Sequence, residues 1–176
     1  MLSSWAYILV GDNNTGKTSF QRYLVEALCG QSYARLPRNV VKPITHPRAP
    51  KKLEDLFTAN RSYQEKIDEY KSIENYLNKF FRDADVCVLS SHAHGNAITE
   101  IKAMFKGLTL RGYNVGGIFW SNAFGGAEKI ISSDIPWQER FWIENPPQKD
   151  LNKAQAQIRA QAFEFSEILM ARAYCQ

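Results

Sequence analysis

Residues 11–18 constrain the fold of this chain more than any other part of its sequence. They read Gly-Asp-Asn-Asn-Thr-Gly-Lys-Thr and match the pattern G-x-x-x-x-G-K-[ST] at every fixed position. Residues 5–10 before them form an uncharged run of strand-forming residues, which is typical of a buried parallel strand. After them, Phe20, Leu24 and Leu28 recur every four residues and predict one apolar face of a helix. The pattern therefore lies between a strand and a helix, the setting in which it forms a tight connecting loop.

The chemistry of this loop points to a bound phosphate chain. Glycines let the backbone curl so that successive N–H groups face phosphate oxygens, and the helix N-terminus adds a partial positive charge. We expect Lys17 to neutralise the β and γ phosphates and to be catalytic, and Thr18 to offer its hydroxyl to Mg²⁺ as the metal ligand. The predicted nucleotide-binding residues of the loop are Gly11, Asp12, Asn13, Asn14, Thr15, Gly16, Lys17, Thr18 and Ser19.

With this loop the chain resembles the P-loop NTPase superfamily. The resemblance implies an α/β fold, a three-layer αβα sandwich with a mostly parallel sheet, and it implies ATP and Mg²⁺ as cofactors. ATP is taken as the nucleotide because it is the commoner ligand of such loops and the chain lacks the Asn-Lys-x-Asp signature of guanine binding.

The rest of the chain alternates between strand-like and helix-like patterns, which predicts one domain over residues 1–176. Strands are predicted at residues 86–89, 115–120 and 141–143, and helices at residues 63–80, 96–110 and 150–174. In such a sheet the ligand lies outside the carboxyl ends of the strands. The segments expected there are residues 11–18, those after Thr45, residues 90–94, and those after Trp120 and Ile143.

An acidic residue is missing from the place where most P-loop enzymes carry one, the end of a second apolar strand. Here that strand ends in Ser90, Ser91 and His92, so hydroxyls replace the expected carboxylate. Ser91 is therefore a candidate catalytic residue. Asp83 and Asp85 lie at the opposite, amino-terminal end of the strand and are interpreted as turn residues at its entry.

Two further features bear on catalysis at this edge of the sheet. Glu144 follows the last apolar run and is the only acidic residue predicted in a suitable place, so it is a second catalytic candidate. His92 and His94 either contact the γ-phosphate or are solvated loop residues. As a metal pair they lack an evident third ligand nearby.

The second half of the chain carries a more specific resemblance. A helix ends in the turn Arg111-Gly112-Tyr113 and leads into a strand that ends at Asn122, which is similar to the dethiobiotin synthetase and chromosome-partitioning ATPase group. That resemblance implies that Asn122 contacts adenine and that residues 143–147 line the other side of the ring. The stretch also resembles DNA-pumping and viral packaging motors, in which Asn122 would sense the γ-phosphate. A third interpretation makes Asn122 a simple turn residue.

A basic, proline-rich segment at residues 32–59 is predicted to lie on the surface with at most one short strand, at residues 39–45. Its cations are Arg35, Arg38, Lys42, Arg48, Lys51 and Lys52. Residues 35–52 are interpreted as an arm that binds nucleic-acid phosphates or a protein partner, as a lid over a phosphorylated substrate or a neighbouring subunit's nucleotide, or as a solvated loop.

The cysteines and the apolar runs suggest a cytoplasmic protein that does not enter a membrane. The chain has three cysteines without a C-x-x-C spacing, which favours neither a disulfide framework nor a zinc site. The apolar run at residues 5–10 is far shorter than the roughly 20 residues of a membrane span.

Together these features favour a Mg²⁺-dependent, ATP-binding NTPase whose nucleotide state is coupled to a macromolecular partner, as a switch or small motor. The missing acid and the basic segment support that choice, as does a C-terminal helix at residues 150–174 suited to association into a homo-oligomer. The alternative is a small-molecule kinase or ATP-dependent ligase in which residues 32–59 close over an acceptor. A third hypothesis is a nucleotide-binding module that does not hydrolyse.

Overall fold

Six strands form one sheet in the order β2-β3-β4-β1-β5-β6 in the computed structural model, which describes residues 4–94, 97–120 and 126–175. The strands are β1 (Trp5–Val10), β2 (Val41–Pro43), β3 (Asp55–Ala59), β4 (Val86–Ser91), β5 (Asn114–Trp120) and β6 (Glu139–Ile143). All neighbouring strands run parallel except β2 and β3. The carboxyl ends of the five parallel strands therefore lie at one edge of the sheet.

Helices cover both faces of this sheet. They are α1 (Lys17–Cys29), α2 (Ile67–Tyr70), α3 (Ile73–Lys79), α4 (Ala97–Leu110), α5 (Ala127–Asp134) and α6 (Leu151–Cys175), and a single 3₁₀ turn (Gln64–Lys66) precedes α2. One apolar core joins α1 and α6 to the sheet, and a second core on the other face joins α3, α4 and α5 to it. This arrangement confirms the predicted α/β sandwich with a mostly parallel sheet.

The alternation of β1 shows how one strand serves both cores. Tyr7 and Leu9 pack toward α1 and α6, whereas Ala6, Ile8 and Val10 pack toward the opposite helices. All five are fully buried, as expected for a central strand of a parallel sheet. The predicted strand at residues 5–10 is confirmed, and so is the helix after Lys17.

The prediction for residues 32–59 is wrong in one respect, because this segment contributes a second strand, β3. Leu56 and Phe57 are fully buried, and β3 pairs with β4 in parallel and with β2 in antiparallel. The Asp85 carboxylate accepts a hydrogen bond from the Glu54 backbone N–H at 2.6 Å and holds the start of β3. The segment is thus partly internal to the sheet.

The single helix predicted at residues 63–80 is also wrong, because the chain breaks there into short pieces. Lys71 adopts a left-handed φ of 65° and ends α2. Ser72 is extended and its hydroxyl accepts a hydrogen bond from the Asn75 backbone N–H, which caps α3. The predicted apolar stripe is interrupted as a result, and Ile67 is 48% exposed.

Two smaller differences concern the helices. α5 follows β5 and was not predicted. Leu151 begins α6 but is 79% exposed, although the sequence pattern assigns it to the packed face; Ile158, Ala162, Phe165 and Leu169 of that face are buried. The first turn of α6 projects beyond the core because it reaches the carboxyl edge of the sheet.

In the part of the chain that the structure describes, no helix combines the length and apolarity needed to cross a membrane. The three cysteines are free thiols, with Cys29 and Cys87 buried and Cys175 exposed. Burial raises the pKa of Cys29 to about 11, so this thiol is protonated at neutral pH.

Candidate nucleotide site at the carboxyl edge of the sheet

A cleft of about 790 Å³ opens at the carboxyl edge of the sheet, within the size range of small-molecule sites. Residues 13–19 line its floor, between β1 and α1. The end of β4 contributes Ser90, and the segment after β3 contributes Asn60 and Glu65. Residues 145–148 and the first turns of α6 form the remaining wall. The residues directly after Thr45, which were expected here, do not line the cleft. Asn60 lines it instead, because β3 ends beside the cleft.

The backbone of the 11–18 loop is tightly curled. Asn14 has a φ of 61° and Gly16 a φ of 101°, a region that favours glycine. Among the residues that the structure describes, none accepts a hydrogen bond from the backbone N–H groups of residues 13–19. These groups precede and begin α1, where the helix dipole is positive. The floor of the cleft is therefore suited to an anion.

Residues from α6 and from the segment between β6 and α6 contact this loop. Asn145 donates through Nδ2 to the Thr15 carbonyl at 3.0 Å, and Gln157 donates to Asn145 Oδ1 at 2.5 Å. A Cβ atom on Gly16 would lie 2.6 Å from Ile158 Cδ1, so the end of the Ile158 side chain would have to move. The positive φ of Gly16 is the stronger reason for a glycine at this position.

Lys17 places a buried cation in the loop. Its Nζ donates to the carbonyl oxygens of Gly11 and Asp12, each at 2.6 Å, and the residue is 8% exposed. Burial lowers the pKa of Lys17 to about 8, although the carboxylates of Glu65 and Asp12 act in the opposite direction. The ammonium group is thus poorly solvated and stands to gain strongly from an anion.

Thr18 and Ser19 lie at the junction of two cavities. Both line the large cleft and a smaller one of about 90 Å³, which is also lined by Arg22, Arg35 and Asn60. The hydroxyls of Thr18 and Ser90 in the large cleft are hard oxygen donors of the kind that Mg²⁺ accepts together with waters and phosphate oxygens. Among the described residues, no group of three or more His, Cys, Asp or Glu side chains could hold a metal ion.

The two serines that end β4 point to opposite faces of the sheet. Ser90 lines the cleft, and its Oγ accepts a hydrogen bond from Gln21 Nε2 at 2.9 Å. Ser91, the predicted catalytic residue, is fully buried on the other face, where Gln64 Nε2 donates to its Oγ at 3.1 Å. The hydroxyl that lines the cleft is therefore that of Ser90, one residue earlier, because side chains alternate along a strand.

The acidic residues named from the sequence lie elsewhere. Glu144 is exposed and does not line the cleft in the described structure. At the opposite edge of the sheet, Asp83 accepts a hydrogen bond from the Tyr113 hydroxyl at 3.1 Å, and Asp85 caps the start of β3. Asp83 and Asp85 thus occupy the entry of β4, as predicted.

Sequence reasoning missed Glu65, a carboxylate that does line the cleft. It lies on the 3₁₀ turn, and its Oε1 is 3.1 Å from His92 Nε2. Arg61 donates to its Oε2 at 3.2 Å. No local sequence signal marks Glu65, because it falls on the polar face of the helix predicted at residues 63–80.

His92 is buried behind Glu65. Burial lowers the pKa of His92, and the positive charge of Lys17 acts in the same direction while Glu65 opposes it. The imidazole is therefore neutral at pH 7. Its Nδ1 lies 3.4 Å from Nε2 of the exposed His94. Both contacts can be hydrogen bonds when His92 carries its proton on Nε2. The Nε2–H then donates a hydrogen bond to Glu65, and Nδ1 accepts one from His94.

The remaining predicted contacts concern the base. Asn122 lies outside the described residues. Of residues 143–147, Asn145, Pro146 and Pro147 line the cleft beside the first turn of α6. This wall is less polar than the loop, as a site for a flat heterocyclic ring requires.

The cations of the basic segment are spread over different surroundings. Arg35 lines the smaller cleft, and Lys42 is buried, 2% exposed, with Nζ 5.8 Å from the Tyr33 ring centroid. Arg48 forms an ion pair with Glu167 on α6. Lys51 and Lys52 are exposed in a turn. Of the six cations, only Arg35 adjoins the cleft among the residues that the structure describes.

Comparison with protein-family models and with curated protein sequences finds no match to this chain.

Proposed function

We propose that this chain is a Mg²⁺-dependent, ATP-binding P-loop NTPase that binds the triphosphate on residues 11–18. The observation that carries the proposal is the buried ammonium group of Lys17, held inside a curled loop at the N-terminus of α1. The backbone N–H groups of residues 13–19, which donate to no other residue that the structure describes, add hydrogen-bond donors around it. A cation and a row of backbone donors facing one cleft favour a phosphate chain over other anions.

Thr18 would hold Mg²⁺ through its hydroxyl, with waters and phosphate oxygens as the other ligands. The ion would supply charge neutralisation between the β and γ phosphates. Asn145, Pro146 and Pro147 would lie along the adenine ring. The protein's own contribution is then to orient the triphosphate in the cleft.

The simplest test is a calorimetric titration of the protein with ATP, with and without Mg²⁺. We expect one molecule of ATP per chain and an affinity about tenfold lower in excess EDTA, because the phosphate charges are then less well neutralised. GTP titrated in the same way tests the base. An absence of binding by both nucleotides with Mg²⁺ present would refute the proposal.

Coupling to a macromolecular partner is part of the proposal and is tested by turnover. We expect phosphate release from ATP to rise when the partner is present. Double-stranded and single-stranded DNA and RNA are the first candidates, and their binding should weaken steeply with salt. Turnover that none of these changes at any salt concentration would contradict nucleic-acid coupling.

The smaller cleft favours a second candidate function, transfer of the γ-phosphoryl group to a small anionic acceptor. Arg22 and Arg35 supply positive charge there, and Thr18, Ser19 and Asn60 are shared with the large cleft. An acceptor held there would lie beside the end of the triphosphate. Label transferred from γ-labelled ATP to a mixture of metabolites, rather than to water, would establish this alternative.

The lowered pKa of Lys17 predicts how ATP affinity changes with pH. In the free protein Lys17 loses its proton as the pH rises through about 8, whereas bound phosphates hold the proton on. Above this pKa, binding of ATP must be accompanied by protonation of Lys17. The dissociation constant for ATP should therefore rise by up to about tenfold for each pH unit above about 8. Titrations from pH about 7 to about 9 measure it. An affinity that stays constant over this range would show that Lys17 remains charged in the free protein.

A further inference from the structure

The large cleft contains one carboxylate among the described residues that line it, Glu65. It comes from the turn after β3, not from the end of β4, where Ser90 occupies the cleft. Glu65 lines the same cleft as Lys17 and Thr18, the residues proposed to bind the phosphates and Mg²⁺. A base for an attacking water must face this cleft.

The neighbours of Glu65 fix the position of its carboxylate and leave both oxygens able to accept a further hydrogen bond. His92, whose side chain is 6% exposed, contacts Oε1, and Arg61 reaches Oε2 from the solvent side. A carboxylate offers about four lone-pair sites, so both oxygens keep capacity for another donor. The turn itself is anchored because the Ser62 hydroxyl accepts the Glu65 backbone N–H at 3.2 Å.

We propose that Glu65 is the catalytic base of ATP hydrolysis and that His92 is its positioning residue; this inference rests on the proposed function. The water oxygen forms a bond to the γ-phosphorus as the bond from that phosphorus to the bridging oxygen breaks, and ADP leaves with the electron pair. The Glu65 carboxylate takes the proton of the water. Since the Glu65 side chain is 31% exposed, it returns that proton to solvent when phosphate departs.

The neutral state of His92 suits this role. An uncharged imidazole that donates to Oε1 orients the carboxylate without forming a full ion pair with it. A protonated His92 would stabilise the ionised carboxylate more strongly and weaken it as a base. The burial of His92 on a different segment from the turn also restricts the rotation of Glu65.

Glu65→Gln keeps the shape of the side chain and removes the base. We expect the single-turnover rate of ATP hydrolysis to fall about 100-fold or more, with the dissociation constant for ATP and Mg²⁺ changed by less than about threefold. Glu69→Gln is the matched control, because Glu69 is an exposed carboxylate on α2 that pairs with Lys66 and does not line the cleft. That control should hydrolyse ATP at the wild-type rate.

His92 is tested by a pair of variants. His92→Gln can still donate through its Nε2 to Glu65 and should retain kcat within about tenfold, whereas His92→Phe should lose kcat to nearly the extent of Glu65→Gln with KM unchanged. Equal kcat values in the two variants, with both folded by circular dichroism, would show that His92 does not position the base.

The possible failures separate this inference from the proposed function. If the wild-type protein binds no ATP, the proposed function itself fails. If it binds and hydrolyses ATP and Glu65→Gln does so equally fast, the assignment of Glu65 is wrong and nucleotide binding stands. The assignment is overturned in the same way if the wild-type protein binds ATP without turnover, or if Glu65→Gln abolishes binding.

Discussion

Lys17→Ala is expected to weaken ATP binding by about 100-fold or more, a loss of about 3 kcal/mol. The ammonium group is almost fully buried, and its hydrogen-bond partners among the described residues are the Gly11 and Asp12 carbonyls. A bound phosphate chain places negative charge beside this poorly hydrated cation. The attraction between the phosphates and the Lys17 ammonium is therefore much stronger than it would be for an exposed lysine. Calorimetry with ATP and Mg²⁺ measures the loss directly.

The same variant should fold normally. Removing the buried ammonium relieves its desolvation, while the two carbonyls lose a donor at a cost of about 1–3 kcal/mol. Because these effects oppose each other, we expect the free energy of unfolding without nucleotide to change little. Lys129→Ala removes the same charge from an exposed position on α5 and should leave ATP affinity unchanged. Equal affinities for ATP in Lys17→Ala and Lys129→Ala would refute a phosphate-binding role for the loop.

Local sequence patterns were sufficient to predict the central part of the fold. The strand, loop and helix formed by residues 5–29 follow from uninterrupted apolar runs and a four-residue spacing, so they needed no knowledge of distant partners. β4, β5 and α4 were likewise predicted from their own sequences. Each is long or apolar enough that its own sequence determines its type.

β3 could not be predicted in this way because its stability comes from its neighbours. It is only five residues long and lies in a segment whose prolines and charges are typical of a loop. Pairing with β4 on one side and β2 on the other supplies its backbone hydrogen bonds. Asp85, read from the sequence as a turn residue, also anchors its start, at a separation of 31 residues.

The candidate base was missed for a related reason. A continuous helix over residues 63–80 would place Glu65 on its polar face. Breaks at Lys71, where φ is positive, and at Ser72, which caps α3, separate the 3₁₀ turn and α2 from α3. The turn then brings Glu65 within 3.1 Å of His92, 27 residues away in sequence. Sequence periodicity contains no information on such a contact.

Phe165→Ala is expected to lower the free energy of unfolding by about 3–5 kcal/mol. Phe165 is 4% exposed, and its ring centroid lies 4.9 Å from that of Tyr7, 5.3 Å from that of Phe141 and 5.8 Å from that of Phe20. It therefore joins α6 to two strands and to α1. Truncation would leave a cavity among rigid rings that cannot collapse to fill it. Urea denaturation of the two proteins measures the difference.

Phe163→Ala provides the matched control on the same helix. Phe163 is only half-buried, and its main ring contact is the Arg159 guanidinium, 4.3 Å from the ring centroid. We expect this variant to lose about 1 kcal/mol. Because both substitutions change helix propensity equally, the difference between them isolates packing against the sheet. Similar losses in the two variants would mean that α6 is not held to the sheet through Phe165. The wall that α6 gives the cleft would then depend on its contacts with α1 and with Asn145.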